Sequence, residues 1–258
     1  MFVHERVRED YEQRDSFLCQ TVNLRNLAGL IDHTLLRPDA VQESFDVLLN
    51  QAVEYKFRSI CIPGSRIEQA VNQLQRISQT GSNPVLCTVA GFPNGYNQTK
   101  AKAAEILECE NQGAWEFDYV QNIGRAREAD WQWLEQEARE LVYAAKGKIV
   151  KVILETSMLS GDEIYNSALA AARGGVHILK TSTGFGSRGA SLDDVRILRS
   201  VVEQFKKESG LVLGIKASGG IKSSEDAVNL VRAGATRLGT SSGVAIISGS
   251  LADVNSNY

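Results

Sequence analysis

Eight short apolar runs recur along the chain at regular intervals, and the stretches between them have helical periodicity. The runs are LIDHTLL (30–36), SICIP (59–63), PVLCTVAGF (84–92), EFDYVQNI (116–123), KIVKVILET (148–156), GVHILKTSTG (175–184), LVLGIKASG (211–219) and ATRLGTSSG (235–243). Strands that alternate with helices are typical of parallel sheets with helical crossovers. Eight such units fit a closed (β/α)8 TIM barrel, with a doubly wound open sheet as the alternative.

The chain has 258 residues, which suits one large α/β domain. It contains 4 prolines and shows neither a linker nor a second domain. We therefore predict a helical extension over 1–26, a single barrel over 27–252 and a flexible polar tail over 253–258. The extension is charged, so we expect it to lie outside the main core.

Charge and cysteine content argue against several classes of protein. A net charge of −3 with scattered basic residues offers no electrostatic footprint for nucleic acid. No apolar stretch approaches the roughly 20 residues that a membrane span needs. The four cysteines lack CxxC spacing, which favours free thiols in a reducing compartment over disulfides or zinc. We expect a cytoplasmic protein.

In two of these runs the apolar residues stop at a lysine, which small polar residues and glycine follow. The lysines are Lys180 in the sixth run and Lys216 in the seventh. Burying an ammonium group is costly, and the carboxyl ends of barrel strands carry the active sites of this fold. One lysine of such a pair can act as a Schiff-base nucleophile. The positive charge of the other lysine then favours the neutral form of the nucleophile. The alternative is that each lysine pairs with a carboxylate and only shapes the core. Two lysines at equivalent positions favour a catalytic function.

Schiff-base chemistry also needs proton transfer, and two acids lie within apolar strands. They are Asp118 in the fourth run and Asp32 in the first. An acid that faces the barrel interior lies near lysines that face the interior. Asp118 could be a buried counter-ion, a proton relay, or both, because one contact can serve both roles.

Glycine-rich turns follow the last two strands, ASGGI after Lys216 and GTSSG at 239–243. In barrels these two loops commonly bind phosphate through backbone amides. We therefore predict a small phosphorylated carbonyl compound as substrate. GTSSG also fits a hydrolase nucleophile elbow, but no histidine follows it, and GFGSRG (184–189) lacks the downstream acid of a dinucleotide site.

A catalytic metal is not expected. A zinc-dependent aldolase would need several histidines that converge on the site. Strand alternation turns His177 away from Lys180 and His33 away from Asp32, so both histidines are interpreted as structural.

Seven segments of the chain together resemble the deoxyribose-phosphate aldolase family of class I aldolases, which have the (β/α)8 fold. The segments are IDHTLL (31–36), GFPNG (91–95), DYVQNIG (118–124), KVILET (151–156), LKTSTGFG (179–186), KASGGI (216–221) and GTSSG (239–243). The resemblance implies reversible cleavage of 2-deoxy-D-ribose 5-phosphate to D-glyceraldehyde 3-phosphate and acetaldehyde. It implies no metal and no organic cofactor, and a homo-oligomer, dimer or tetramer.

The resemblance also implies roles for individual residues. Lys180 would form the Schiff base, Lys216 would perturb it and help to move protons, and Asp118 would donate and accept protons. The implied substrate-binding residues are Asp32, Thr183, Gly184, Gly219, Gly220, Ser241 and Ser242. Trp115, Tyr119 and Gln121 depart from the family pattern and bear on pocket shape. The tail ends on Tyr258, which as a hypothesis reaches the site and aids proton transfer.

Two rival functions stay open at this point. A transaldolase-type transferase would share the Schiff-base chemistry and use a longer sugar phosphate as donor. A phosphosugar-binding protein would keep the barrel and lack turnover, which the intact set of Asp118, Lys180 and Lys216 argues against.

Overall fold

The computed structural model describes residues 2–19, 24–77 and 84–249, and within them eight parallel strands close into a barrel in chain order. The strands are β1 (Ile31–Thr34), β2 (Ser59–Cys61), β3 (Val85–Ala90), β4 (Glu116–Val120), β5 (Ile149–Ile153), β6 (Ile178–Lys180), β7 (Gly214–Ser218) and β8 (Arg237–Thr240). The predicted (β/α)8 TIM barrel is confirmed, and the open-sheet alternative is excluded because β1 pairs with β8.

Ten α-helices lie among the described residues and cover the outside of the barrel and one of its ends. They are α1 (Phe2–Cys19), α2 (Gln42–Glu54), α3 (Ile67–Ile77), α4 (Thr99–Asn111), α5 (Ile123–Arg127), α6 (Trp131–Ala144), α7 (Gly161–Arg173), α8 (Leu192–Ser209), α9 (Ser224–Ala233) and α10 (Gly243–Ser248). Short 3-10 helices span Leu24–Leu30, Gly64–Arg66 and Thr156–Met158. No described helix combines the length and the apolar character that a membrane crossing requires.

Local sequence signals fix where the helices after β5 and β6 begin. Ser160 and Glu163 form a capping box at the start of α7, and Ser191 and Asp194 form another at α8. Each box satisfies two backbone amides that a helix start leaves without partners. The loops that precede these helices therefore hold a defined course above the carboxyl ends of the strands.

Strand register determines which side chains share the barrel interior. Lys180 is directly opposite Lys216 across β6 and β7, and Asp118 is opposite Lys151 across β4 and β5. Residues that pair directly in parallel strands point to the same face of the sheet. The fold thus brings three lysines and one acid of neighbouring strands into the same interior.

Helix α1 lies closer to the barrel than the sequence predicts. The expectation that the extension lies outside the main core does not hold for Val7 and Asp10, which are 0% and 1% exposed. Val7 packs against Ile149 and Ile178, at the amino ends of β5 and β6. The amino end of a barrel must be covered by something, and α1 provides that cover. The predicted tail, 253–258, and Tyr258 lie outside the described residues.

Candidate active site

Lys180 and Lys216 meet at a single carboxylate inside the carboxyl half of the barrel. The Lys180 Nζ lies 2.7 Å from Asp118 Oδ2, and the Lys216 Nζ lies 2.8 Å from the same oxygen. All three side chains are buried, with exposed fractions of 2% or less. The structure therefore brings together three residues that are distant in the sequence and that the sequence analysis singles out.

The environment assigns different charge states to these groups. Burial would raise the pKa of Asp118, but Lys151, Lys180 and Lys216 outweigh burial and hold that pKa well below its usual range. Burial would lower the pKa of Lys216, yet Asp118 and Asp32 together raise it. Asp118 is thus a carboxylate and Lys216 an ammonium at neutral pH, and this ammonium group lies on the strand beside Lys180, directly opposite it.

Below this centre, further buried charges continue toward the amino end of the barrel. Asp32 Oδ2 lies 2.5 Å from Lys216 Nζ, and Asp32 Oδ1 accepts from Arg237 Nη1 at 2.7 Å. Lys151 Nζ donates to Asp118 Oδ1 at 2.6 Å and lies 2.7 Å from Glu116 Oε2. Each acid therefore has at least one cationic partner, as buried carboxylates require.

Sequence reasoning missed Lys151, Glu116 and Arg237 as parts of this cluster. The signal was present, because each is a charged residue within an apolar strand, as Asp118 is. Strand alternation places Glu116 and Asp118 on one face of β4, and register places Lys151 beside Asp118.

A thiol also contacts the central carboxylate. Cys87 Sγ lies 3.2 Å from Asp118 Oδ1 and 3.2 Å from Lys151 Nζ. Cys61 is directly opposite Cys87 across β2 and β3, and both are buried and not bonded to each other as a disulfide. Burial, the hydrogen bond with Cys61 and the Asp118 charge raise the pKa of Cys87 well above its usual value, so this thiol stays protonated.

The predicted phosphate loops converge beside the lysines. Gly184, Gly219 and Gly220 all adopt positive φ angles, at +91°, +85° and +72°. The loop after β6 crosses the loop after β7 so closely that a Cβ on Gly189 would lie 1.9 Å from the Gly219 carbonyl oxygen. Backbone without side chains at these positions leaves room for an oxyanion to approach the amides.

Ser241 and Ser242 follow β8 on the neighbouring side of the same cradle. Thr240 Oγ1 donates to the Ile221 carbonyl at 2.8 Å and accepts from the Ser242 amide at 2.9 Å. Thr240 thereby ties the loop after β8 to the loop after β7. Ser242 occupies the cap position of α10. The structure therefore places all five predicted phosphate residues on three adjoining loops.

Thr183 is held by an acid that sequence reasoning did not single out. The Thr183 hydroxyl and amide both donate to Glu155 Oε2, the amide at 3.2 Å. Glu155 is 2% exposed and has a left-handed backbone, φ 54°. The Thr183 hydroxyl also accepts from the Phe185 amide at 3.0 Å. Glu155 thus fixes the turn that leads from Lys180 into the glycine loop.

An aromatic pair lies at the entrance to this end of the barrel. Phe92 after β3 and Phe185 after β6 meet edge to face, with ring centroids 5.3 Å apart. Both rings line a cavity of about 740 Å³ together with Leu36 and Pro63 from the loops after β1 and β2. Glu105 and Cys109 of α4 line the outer side of this cavity, whose volume is in the range of small-molecule sites.

Both described barrel histidines point away from the lysines. His33 Nε2 is 2.8 Å from Gln51 Oε1, and His177 Nδ1 accepts from the Val150 amide at 3.0 Å. Their ring nitrogens contact a helix side chain and backbone outside the interior, which is the orientation that strand alternation predicts.

The three departures from the family pattern lie away from Lys180 and Lys216. Trp115 lies at the amino end of β4, where Lys148 Nζ is 3.1 Å from the centroid of its ring. Tyr119 is buried on the outer face of β4, since it alternates with Asp118. Gln121 donates to the Leu154 carbonyl at 3.0 Å. Their effect is on the packing around β4.

Comparison with known proteins agrees with this arrangement. The family model for DeoC/LacD family aldolases matches residues 27–249. This chain belongs to the DeoC/LacD aldolase family. The matched range spans all eight strands, from within the 3-10 helix before β1 to the end of α10, so it includes Lys180, Lys216 and Asp118.

Relatives of this family have sequences of similar length. Deoxyribose-phosphate aldolase of Listeria monocytogenes serotype 4b is 40% identical over 233 residues, 90% of this chain and 99% of that one. The enzyme of the same name from Staphylococcus epidermidis is 40% identical over 224 residues, 87% of this chain and 96% of that one. A tetrameric deoxyribose phosphate aldolase from Aeropyrum pernix has a TM-score of 0.78 at 32% identity and covers 93% of this chain and 96% of its own.

Proposed function

We propose that this chain is a class I aldolase that reversibly cleaves 2-deoxy-D-ribose 5-phosphate to D-glyceraldehyde 3-phosphate and acetaldehyde. The observation that carries the proposal is the pair of lysines that share Asp118 Oδ2 at the carboxyl end of the barrel. A permanent cation beside a second amine is the arrangement that activates a Schiff-base lysine. The names of the relatives supply the substrate.

The reaction begins at Lys180. Its neutral amine adds to the C1 aldehyde of the open-chain sugar, and loss of water gives an iminium ion. The C3 hydroxyl then loses its proton, the C2–C3 bond breaks, and its electron pair forms the enamine as D-glyceraldehyde 3-phosphate leaves. Protonation of the enamine at C2 and addition of water release acetaldehyde and regenerate the amine.

The remaining site residues divide between proton transfer and binding. Asp118 accepts and returns protons, and Lys216 supplies the adjacent positive charge and an alternative proton donor. Asp32, next to Lys216, binds the inner part of the substrate. Gly184, Gly219, Gly220, Ser241 and Ser242 bind the phosphate, and Thr183 orients the glycine loop toward it.

We propose a catalytic barrel over 27–252 preceded by the α1 extension over 1–26. The enzyme acts in the cytoplasm on deoxyribose phosphate from deoxynucleoside breakdown. Cys61, Cys87 and Cys109 are buried free thiols, which suits a reducing compartment. The tetramer among the relatives supports a homo-oligomer here as well.

The direct test is acetaldehyde release from 2-deoxy-D-ribose 5-phosphate, followed with a coupled alcohol dehydrogenase. We expect turnover in the wild-type chain and none in Lys180→Ala. The exposed lysine Lys207 provides a matched control, and Lys207→Ala should keep full activity. Cleavage of a longer ketose phosphate, with deoxyribose phosphate left intact, would favour the transferase. Binding of deoxyribose phosphate without release of acetaldehyde would favour a phosphosugar-binding protein.

A further inference from the structure

Helix α1 contributes a buried acid to the interior of the barrel. Asp10 is 1% exposed, although it lies on the helix that covers the amino end, opposite the lysine pair. Its Oδ2 lies 2.6 Å from Arg237 Nη2, and its Oδ1 lies 3.0 Å from Arg58 Nη2. A helix that served only as an apolar cover would have no need of a buried charge.

Arg237 connects this acid to the lysine centre. Its other terminal nitrogen, Nη1, lies 2.7 Å from Asp32 Oδ1 and 3.0 Å from Glu116 Oε2. The second oxygen of Asp32 lies 2.5 Å from Lys216 Nζ. We call the continuous series Asp10, Arg237, Asp32, Lys216, Asp118 and Lys180 the axial ion chain. It runs from α1 to the proposed nucleophile through direct contacts alone.

Asp10 is one of four buried acids that face four buried basic side chains in this interior. The basic side chains are Lys151, Lys180, Lys216 and Arg237, and the acids are Asp10, Asp32, Glu116 and Asp118. Without Asp10, Arg237 would interact more strongly with Asp32. Asp32 would then interact less strongly with Lys216. A low-dielectric interior transmits such a change over more than one contact.

We propose that Asp10 is a positioning residue for the reaction at Lys180. It neutralises Arg237 from the amino end, so that Asp32 stays available to keep Lys216 protonated beside the nucleophile. The inference rests on the proposed function and adds to it a residue of α1, outside the part of the chain that the family model matches.

The test is the pH profile of kcat/KM in Asp10→Asn, Asp10→Glu and Glu9→Gln. Asp10→Asn removes one buried negative charge, which makes it easier for the lysines of the barrel interior to release a proton. Both limbs of the Asp10→Asn profile should therefore move to lower pH, by about half a unit to one unit. Asp10→Glu should restore the profile, since it keeps the charge. Glu9→Gln is the matched control, because Glu9 adjoins Asp10, lies 3.3 Å from the same Arg58, and is exposed.

A buried pair can fail to fold when one partner is removed, so a second variant tests the opposite sign. Arg58→Gln removes the positive charge on the outer side of Asp10 and should move the profile to higher pH. The move should be smaller, because the Arg58 side chain is 22% exposed and solvent screens it. An Asp10→Asn protein that does not fold leaves the decision to Arg58→Gln.

The outcomes separate the two proposals. A wild-type chain that cleaves no deoxyribose phosphate would contradict the proposed function, and the pH dependence of acetaldehyde trapping by cyanoborohydride would then still test Asp10. Profiles of Asp10→Asn and Arg58→Gln that match the wild type, with only a lower melting temperature, would overturn the positioning role. Opposite shifts in the two variants, with Glu9→Gln unchanged, would support it.

Discussion

At the scale of single residues, the site depends on one carboxylate that two ammonium groups share. Each lysine alone would be an ordinary buried ion pair, but two cations on one oxygen of Asp118 cannot both be satisfied equally. The second oxygen is already taken by Lys151. Lys216 also contacts Asp32, so it is paired with two carboxylates, whereas the carboxylate partner of Lys180 is Asp118. This asymmetry supports the proposal that Lys180 is the nucleophile.

Asp118→Asn should lower kcat by a factor of about 10² to 10⁴, because an amide cannot accept the protons that the reaction moves. KM should change much less, since Asp118 does not contact the phosphate loops. Asp193→Asn is the control, as Asp193 is an exposed acid whose side chain is 84% accessible. Steady-state kinetics of the two variants decide the matter. An Asp118→Asn enzyme with wild-type kcat would show that the proton relay lies elsewhere.

Residue identity could be predicted where a charged group interrupts an apolar strand. Lys180, Lys216 and Asp118 were found in this way, and Lys151, Glu116 and Arg237 carry the same signal but were not interpreted. Asp10 could not have been found by that route. It lies in a helix with many charged residues, and its partner Arg237 is 227 positions away. Only the packing of α1 against the barrel distinguishes it from its neighbours.

At the scale of elements, the loops after β6 and β7 are fitted to each other backbone against backbone. Gly189 lies so close to Gly219 that no side chain can stand between them. The barrel and the order of strands and helices could be predicted from periodicity. The crossing of these two loops could not be predicted from the sequence. Glycine spacing shows where a side chain is missing, but it does not show which backbone occupies the free space.

Gly189→Ala should raise KM for the phosphorylated substrate at least about tenfold. Its Cβ would displace the Gly219 carbonyl and with it the proposed phosphate cradle. Turnover of unphosphorylated 2-deoxyribose should match that of the wild type, because this sugar has no phosphate for the cradle to bind. Gly161→Ala controls for the added methyl group, which there would meet Ile197 at 3.6 Å, an ordinary contact. Equal losses with both sugars would argue for general damage and against a phosphate role.

The contact between α1 and the barrel should be sensitive to mild acid, because His177 meets His4 of α1 edge to face, with ring centroids 5.9 Å apart. Burial lowers the pKa of His177 to about 4, while an unfolded histidine titrates near 6.5. The unfolded chain therefore binds more protons as the pH falls from 6.5 toward 4, and stability is lost in that window. We expect a loss of about 2 kcal/mol between pH 7 and pH 5.

Urea unfolding of the wild type and His177→Gln at both pH values measures this loss. Glutamine keeps an acceptor for the Val150 amide and cannot titrate, so the variant should lose about 2 kcal/mol less. His33, whose pKa burial also lowers, contributes equally to both proteins and cancels in the comparison. Identical pH dependence in the two proteins would contradict the assignment.

At the scale of the whole molecule, the barrel interior is a polar core of four basic and four acidic side chains inside an apolar shell. Hydrophobic packing explains the closure of the strands, but the interior near the axis is held by charge pairing. Such a core contributes less stability than apolar packing would, and it is strongly destabilised when one partner is removed. The charged interior therefore makes the fold sensitive to substitution of any one of these buried charged residues.

Lys151→Met should lower the free energy of unfolding by about 3–5 kcal/mol, since it leaves Glu116 and Asp118 with one cation fewer. The control is Lys207→Met, an exposed lysine near the end of α8, which should change stability by less than about 0.5 kcal/mol. Equilibrium denaturation of both variants makes the comparison. A Lys151→Met protein as stable as the control would show that the interior charges are not mutually dependent.

The central claim is that Lys180 forms the covalent intermediate. The measurement is reduction with borohydride in the presence of acetaldehyde, followed by mapping of the modified peptide by mass spectrometry. We predict an ethyl group on Lys180 in the wild-type chain and no modification of the barrel interior in Lys180→Ala. An ethyl group on Lys216 in the wild-type chain, with Lys180 unmodified, would contradict the assignment.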